Sequence, residues 1–182
     1  MGVGAPSGTV TFLFTDIEGS TLLWQEAPDA MREALELHDS ILRAAIDGHG
    51  GYAFSTGGDG FGVAFARSGD ALAAAAEGQA GLAGESWPEG AEIRVRMGVH
   101  TGEVAEREGD YFGTPVNQTA RLMAAGHGGQ VLVSAASQEL MRDRLPQGCG
   151  LLELGEFRLR DLGRPERIFQ VVHPDLPREF PL

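Results

Sequence analysis

The sequence contains no lysine: its 14 basic residues are all arginines. A Walker-type phosphate loop requires a Gly-Lys-Ser/Thr step, so that class of nucleotide site is excluded. Schiff-base chemistry and lysine-bound pyridoxal phosphate are excluded as well, because both need a lysine amine. Any phosphate group must therefore be bound by arginine, by backbone amides or by metal ions.

Cysteine and long apolar runs are also scarce. Cys149 is the single cysteine, which excludes an internal disulfide framework and favours a reducing compartment. No stretch reaches the roughly 20 apolar residues of a membrane span. The N-terminal tail, residues 1–8, has neither the basic nor the apolar region of a signal peptide. We therefore predict a cytoplasmic chain with no membrane segment.

Negative charge outweighs positive charge, with 26 acidic residues and a net charge of −12. Such a surface repels a phosphate backbone, so nucleic-acid binding by this segment is not expected. A nucleotide substrate stays compatible, since divalent ions bridge carboxylates and phosphates. The length of 182 residues suits one domain. We predict that domain at 9–172, followed by a Pro-rich tail or linker at 173–182.

Short strands and helices alternate along the chain. The β-branched and aromatic run Thr9–Thr15 predicts a buried strand, and helical spacing from Pro28 to about Ile46 predicts a long helix. An Asp-Gly turn at 57–60 between two apolar runs predicts a hairpin. Residues 93–100 predict a strand, and 103–106 are predicted to pair back against it. Mixed hairpins and helices predict an α+β fold, with helices packed on a mainly antiparallel sheet.

Two aspartates lie where predicted strands end: Asp16 follows the first strand, and Asp59 lies in the hairpin turn. Mg²⁺ takes carboxylate and phosphate oxygens as ligands, so two such side chains suit one or two ions. Two ions would clamp the attacking and leaving oxygens in phosphoryl chemistry. Each residue also has a plainer interpretation, Asp16 as a helix N-cap and Asp59 as the favoured residue of an Asp-Gly turn.

A third element carries Asn117 and Arg121, which are four residues apart and share one face of a predicted helix. An amide and a guanidinium on one face can orient a sugar and neutralise a phosphate. A solvated polar face is the alternative interpretation. His100, on a predicted strand, is interpreted as structural rather than catalytic.

Seven short segments stand in order along the chain: Phe14–Thr21, Gly58–Phe61, Arg96–Gly102, Asp110–Gly113, Val116-Asn117, Ala120-Arg121 and Leu159-Arg160-Asp161-Leu162. Together they resemble the catalytic domain of class III adenylate and guanylate cyclases, in the branch common among actinobacteria. The resemblance runs from about Thr9 to Val172. It implies a ferredoxin-like α+β core that forms a head-to-tail homodimer with two shared active sites at the interface.

The resemblance also implies a role for each matched residue. Asp16 and Asp59 would hold two divalent metal ions, Mg²⁺ or Mn²⁺, with help from the backbone carbonyl of Ile17. From the second copy, Asn117 would orient the ribose and Arg121 would stabilise charge on the reacting phosphate. The ribose 3′-hydroxyl would attack the α-phosphate and release pyrophosphate. Another cation, Arg160, falls near the position that binds the terminal phosphates in the family.

Purine choice in the family comes from a lysine four residues before the second metal aspartate, together with an aspartate near the helix start. Asp110 fits the second position, but Ser55 stands at the first. A serine is shorter and uncharged, and losing one charge-assisted hydrogen bond costs about 1.5–3 kcal/mol. We therefore expect ATP as the substrate, bound weakly or with relaxed purine choice that admits GTP.

Two other functions are compatible with these residues. Ser55 favours a catalytically degenerate cyclase-homology domain that binds nucleotide or dimerises as a regulatory module. The Pro-rich ending, Pro174–Pro181, would then join it to C-terminal regulatory domains in a longer parent chain. A metal-dependent nuclease or polymerase palm also uses paired aspartates, but the acidic charge and the absence of lysine argue against it.

Overall fold

The computed structural model describes residues 4–57, 59–160 and 162–181. Within these residues the chain forms eight strands and five helices. The strands are β1 (Gly8–Ile17), β2 (Tyr52–Ser55), β3 (Gly62–Phe65), β4 (Val95–Arg107), β5 (Asp110–Phe112), β6 (Val131–Ser134), β7 (Gly150–Arg158) and β8 (Pro165–Val172). The helices are α1 (Ser20–Glu26), α2 (Pro28–Gly48), α3 (Ser68–Ala83), α4 (Thr114–Ala124) and α5 (Ala135–Met141).

The strands form one mixed sheet in the order β2-β3-β1-β4-β6-β8-β7, and β5 pairs with β4. The pair β4–β6 is parallel, and the other pairings described are antiparallel. The longest ladder joins β1 to β4, from Gly8 opposite Val104 to Ile17 opposite Val95. The predicted α+β fold with a mainly antiparallel sheet is therefore confirmed.

The two faces of the sheet are covered differently. Successive side chains of a strand point to opposite faces, and on β1 Leu13 joins the main core beneath α2 and α3. Its neighbour Phe12 joins an aromatic cluster on the other face with Tyr111, against which Val116 of α4 packs. Helix α2 buries Met31, Ala34, His38, Leu42, Ala45 and Ile46, whose three- and four-residue spacing makes one apolar stripe. Among the helices of the described residues, α4 is therefore the one that packs on the sheet face with the aromatic cluster.

One strand differs from its prediction. Residues 103–106 do not pair back on 93–100, because β4 runs without interruption to Arg107. The chain reverses at Glu108 and Gly109, whose φ angles are 54° and 79°. Two consecutive positive φ values suit a tight hairpin that matches the strand twist. The strand that pairs back is β5, with Arg107 opposite Asp110.

The segment after β8 folds back on the domain. The side-chain amide of Gln170 donates to the carbonyl of Arg178 at 2.8 Å, and Phe180 stacks on His127 with ring centroids 6.3 Å apart. Leu176 packs on the main core. The division of the chain into tails and one domain stays a prediction. No helix in the part of the chain that the structure describes has the length and apolarity that crossing a bilayer demands.

Candidate active site

Asp16 belongs to strand β1, which extends to Ile17. The alternative that Asp16 caps a helix is wrong, because α1 begins at Ser20 with Gly19 at its N-cap and no side-chain cap. Asp16 lies two residues beyond Phe14 and shares its row on the strand, so it lies on the sheet face that carries α4. This face also carries the aromatic cluster around Phe12.

Asp59 lies in the turn between β2 and β3, pressed against the end of β1. The amide of Ile17 donates to the carbonyl of Asp59 at 3.1 Å, and the amide of Thr15 donates to the carbonyl of Phe61 at 2.9 Å. A Cβ built on Gly60 would lie 1.9 Å from the carbonyl oxygen of Thr15, so glycine is required there. The β1–β3 ladder thus continues into the turn and brings Asp59 beside Asp16. The motif residue Gly58 lies outside the described residues.

Both carboxylates open into one cleft of about 510 Å³. The same cleft is lined by Ser55 and Asp110, the two positions predicted to select the purine. Both are exposed, Ser55 at the end of β2 and Asp110 at the start of β5. Phe14, Phe54 and Tyr111 add an aromatic wall. The cleft therefore combines carboxylates, polar groups and apolar rings, which is the composition of a small-molecule binding site.

Arg96 is a part of the site for which the sequence predicts no role. It stands opposite Asp16 in the β1–β4 ladder, and its guanidinium Nη2 donates to the Asp16 carboxylate. Its Nη1 lies 3.4 Å from the carbonyl oxygen of Ala124 at the end of α4. The Nε of Arg96 is buried without a hydrogen-bond partner among the described residues. A cation thus already occupies one side of the Asp16 carboxylate.

The donor set fits hard divalent cations better than softer metals. Among the described residues no group of three or more His, Cys, Asp and Glu side chains could enclose a metal ion. Two carboxylates, Asp16 and Asp59, suit Mg²⁺ or Mn²⁺, because such ions complete their shells with water and substrate phosphates. The guanidinium beside Asp16 shows that this carboxylate is placed to bind positive charge.

A packed aromatic group supports the Asp59 turn from below. The ring of His38, on α2, stacks on Phe61 with centroids 5.9 Å apart, and the guanidinium carbon of Arg43 lies 5.4 Å from the Phe61 ring centroid. Burial lowers the pKa of His38 below its ordinary value, against the opposing effect of Asp39 and Asp59. His38 is therefore neutral at pH 7 and packs as an uncharged ring.

Asn117 and Arg121 lie on another side of α4 from the cleft. Val116 and Met123 of that helix line the cleft. Each residue advances about 100° around a helix, so Asn117 and Arg121 are turned roughly 100–160° away from these two. Asn117 is exposed. Neither Asn117 nor Arg121 is among the described residues that line the cleft.

In the structure, Arg160 lies beside helix α4. Leu159 and Leu162 pack in a small apolar cluster with Leu122 of that helix, and Arg160 between them is exposed. Arg160 is absent from the described lining of the cleft. The neighbouring motif residue Asp161 lies outside the described residues. The predicted site side chains thus form two groups, one in the cleft and one on and beside α4. Ile17, predicted to offer its backbone carbonyl, ends β1, and its side chain packs in the main core.

The family model described as "Adenylate and Guanylate cyclase catalytic domain" matches residues 4–172. An uncharacterized protein of Mycobacterium tuberculosis is 44% identical over 178 residues, which are 97% of this chain and 60% of that protein. The adenylate cyclase of Schizosaccharomyces pombe is 32% identical over 217 residues, covering 94% of this chain and 13% of its own length.

A solved structure of an adenylate cyclase from Trypanosoma brucei in its monomeric state superposes with a TM-score of 0.84. It is 30% identical, and the match covers 96% of this chain and 94% of that one. The chain spans about 60% of the length of its mycobacterial relative. The likeness therefore extends over nearly all of this chain but over only part of its longer relatives.

Proposed function

Because this chain belongs to the family of adenylate and guanylate cyclase catalytic domains, we propose that it converts ATP to 3′,5′-cyclic AMP and pyrophosphate. The observation that carries the proposal is the cleft in which Asp16 and Asp59 stand beside Ser55 and Asp110. Relatives named adenylate cyclase support ATP as the substrate.

The reaction forms a bond between the ribose 3′-oxygen and the α-phosphorus and breaks the bond from that phosphorus to pyrophosphate. The hydroxyl proton is released to water. Asp16, Asp59 and the carbonyl of Ile17 would hold two divalent ions. When bound, such ions lower the pKa of the hydroxyl and stabilise charge on the phosphate oxygens. Arg96 must then share or release the Asp16 carboxylate that it contacts.

We further propose that each site is shared between two copies of the chain. Asn117 and Arg121 are turned away from the cleft of their own chain, and Arg160 lies on the same side as α4. In a two-fold dimer each α4 can reach the cleft of the other copy, and both sites form together. There Asn117 would orient the ribose, Arg121 would stabilise charge on the reacting phosphate, and Arg160 would approach the terminal phosphates.

Ser55 favours a second candidate function. It is exposed at the cleft, carries no charge and is too short to span the reach of a lysine. A domain that binds a nucleotide weakly at this cleft and makes no product would act as a nucleotide-binding or dimerisation module. In this case ATP raises the melting temperature of the protein without being consumed.

The test is mass-spectrometric product analysis after incubation of the purified chain with Mn²⁺ and either ATP or GTP. Asp16→Ala serves as the control, because it removes one metal carboxylate. Cyclic AMP that disappears in the control supports the cyclase. Absence of any cyclic product, from protein that native mass spectrometry shows to be a folded dimer, rejects it in favour of the binding module.

A further inference from the structure

The motif Gly98-Val99-His100-Thr101-Gly102 lies in the middle of β4, directly beneath α4. Alternate residues of a strand face opposite sides. Val99 belongs to the main core, and the Thr101 hydroxyl is hydrogen-bonded to Ser137 of α5 at 2.7 Å. The other three residues, Gly98, His100 and Gly102, face α4. Neither the metal carboxylates nor the purine positions account for this pattern.

Both glycines allow α4 to lie in direct contact with the strand. A Cβ on Gly98 would come within 2.7 Å of the backbone nitrogen of Met123, near the end of α4. A Cβ on Gly102 would come within 2.6 Å of the Pro115 ring, in the first turn. The backbone of β4 therefore fixes the distance of α4 from the sheet at both ends. The rotation of the helix about its axis depends on its side chains, among them Val116 and Leu122, which pack in two apolar clusters.

His100, between the two glycines, makes a side-chain link to the middle of the helix. Its Nε2 lies 2.8 Å from the Oε1 of Gln118, and its Nδ1 lies 2.7 Å from the hydroxyl of Ser134. Burial lowers the pKa of His100 below its ordinary value, so the ring is neutral near pH 7. Since the amide oxygen can only accept, Nε2 carries the proton and Nδ1 accepts from Ser134.

The link connects to the residue beside Asn117. Gln118 follows Asn117 directly and precedes Arg121 by one turn, so fixing Gln118 fixes the direction of both. The other end of the link is anchored, because the Ser134 oxygen also accepts from the amide of Ser137 at 3.3 Å and caps α5. A rotation of α4 would have to break a hydrogen bond to a buried imidazole, which costs more than an exposed bond.

We propose that His100 is a positioning residue: through Gln118 it sets the rotation of α4 and thereby directs Asn117 and Arg121 toward the nucleotide bound by a second copy of the chain. The consequence for catalysis rests on the proposed cyclase function. The positional role itself does not.

The first test therefore measures α4 without activity, by residue-resolved amide hydrogen exchange. Gln118→Leu removes the acceptor for His100, whereas Gln118→Glu keeps an oxygen at the same reach. We expect exchange across 117–121 to rise about tenfold in Gln118→Leu, with α2 unchanged and Gln118→Glu close to the parent. Unchanged exchange in α4, or an equal rise in α2, overturns the proposal.

A second test uses mixed dimers of Asp16→Ala and Arg121→Ala chains, whose hybrid site takes α4 from the Asp16→Ala chain. Gln118→Leu placed on that chain should lower turnover about tenfold; placed on the Arg121→Ala chain it should not. Equal losses in both placements contradict the positional role. If the parent mixture makes no product, the shared-site cyclase fails, and hydrogen exchange still decides the role of His100.

Discussion

The cleft and the outer face of α4 hold the two groups of proposed site residues, and they differ in charge. The cleft presents the carboxylates of Asp16, Asp59 and Asp110. Helix α4 and the loop beside it present Arg121 and Arg160. Opposite charges on two regions of one chain favour a two-fold pairing in which each region meets its complement. The proposed shared site needs both regions.

The two regions are also fixed by different means. The cleft is held by backbone hydrogen bonds between β1 and the Asp59 turn and by the contact of Gly60 with Thr15. The direction of α4 depends on side-chain contacts, which include the packing of Leu122 and the buried link from His100 to Gln118. Backbone ladders tolerate side-chain substitution better than side-chain contacts do. Substitutions should therefore affect the two regions in separable ways.

The largest expected effect is the loss and recovery of a shared site. Asp16→Ala and Arg121→Ala should each reduce cyclic AMP formation by about a thousandfold or more, because each removes a group that acts on the reacting phosphate. Mixing equal amounts makes half of the dimers hybrids with one intact site, so turnover should return to about a quarter of the parent rate. The measurement is product formation by the two chains alone and mixed.

Arg142→Ala is the matched control for Arg121→Ala, since Arg142 is an exposed arginine paired with Glu139. It should keep full activity alone. Recovery that fails although native mass spectrometry detects the hybrid dimer would show that the cleft and α4 of one chain serve the same site.

The next effect concerns the purine end of the cleft. Ser55→Lys restores a long cation opposite Asp110, and we expect the KM for ATP to fall about tenfold, as regaining a charge-assisted hydrogen bond predicts. The measurement is kcat and KM for ATP and for GTP. Thr56→Lys adds the same charge one residue further on, outside the described cleft lining. If both variants lower KM equally, general attraction explains the gain and Ser55 does not read the purine.

A smaller effect is expected where the ladder brings Arg96 against Asp16. Arg96→Gln removes the cation that competes with metal ions for this carboxylate, so the Kd for Mn²⁺ should fall about three- to tenfold. Electron paramagnetic resonance of free Mn²⁺ measures it without nucleotide. Arg144→Gln, at an exposed arginine after α5, controls for net charge. Weaker or unchanged Mn²⁺ binding in Arg96→Gln would mean that Arg96 does not compete with the metal.

Much of the fold, and part of the candidate site, could be predicted from the sequence. Apolar periodicity and Asp-Gly turn chemistry are local properties, so the strand ending near Asp16, the helix α2 and the hairpin carrying Asp59 are confirmed. The sequence predicts the reversal after His100, whereas β4 continues to Arg107. Alternating apolar residues do not mark where a strand ends. The signal lies in Glu108 and Gly109, which take the positive φ values of the hairpin.

Contacts between distant residues could not be predicted in this way. The pairing of Arg96 with Asp16 depends on the β1–β4 register, which joins residues 80 positions apart. The link from His100 to Gln118 depends on how α4 lies across β4. Both residues belong to recognisable motifs, yet a motif alone does not state which neighbour a side chain meets. Their roles followed from geometry.

The smallest expected effect is a pH dependence of stability from His38, which packs beneath the Asp59 turn. Burial lowers the pKa of His38 in the folded protein, so the unfolded chain binds a proton more readily. The contribution of His38 to the free energy of unfolding is therefore complete above its unfolded-state pKa of about 6.5. It falls as the pH drops below that value, by at most about 1.4 kcal/mol per pH unit. Urea denaturation at pH 7.5, 6.5 and 5.5 measures the free energy of unfolding.

His38→Gln should flatten this decline, because glutamine does not titrate, although it loses the stacking on Phe61 at every pH. His100 also has a pKa lowered by burial, so some decline must persist in His38→Gln. A slope identical to the parent in His38→Gln would show that burial of His38 does not cause the acid sensitivity.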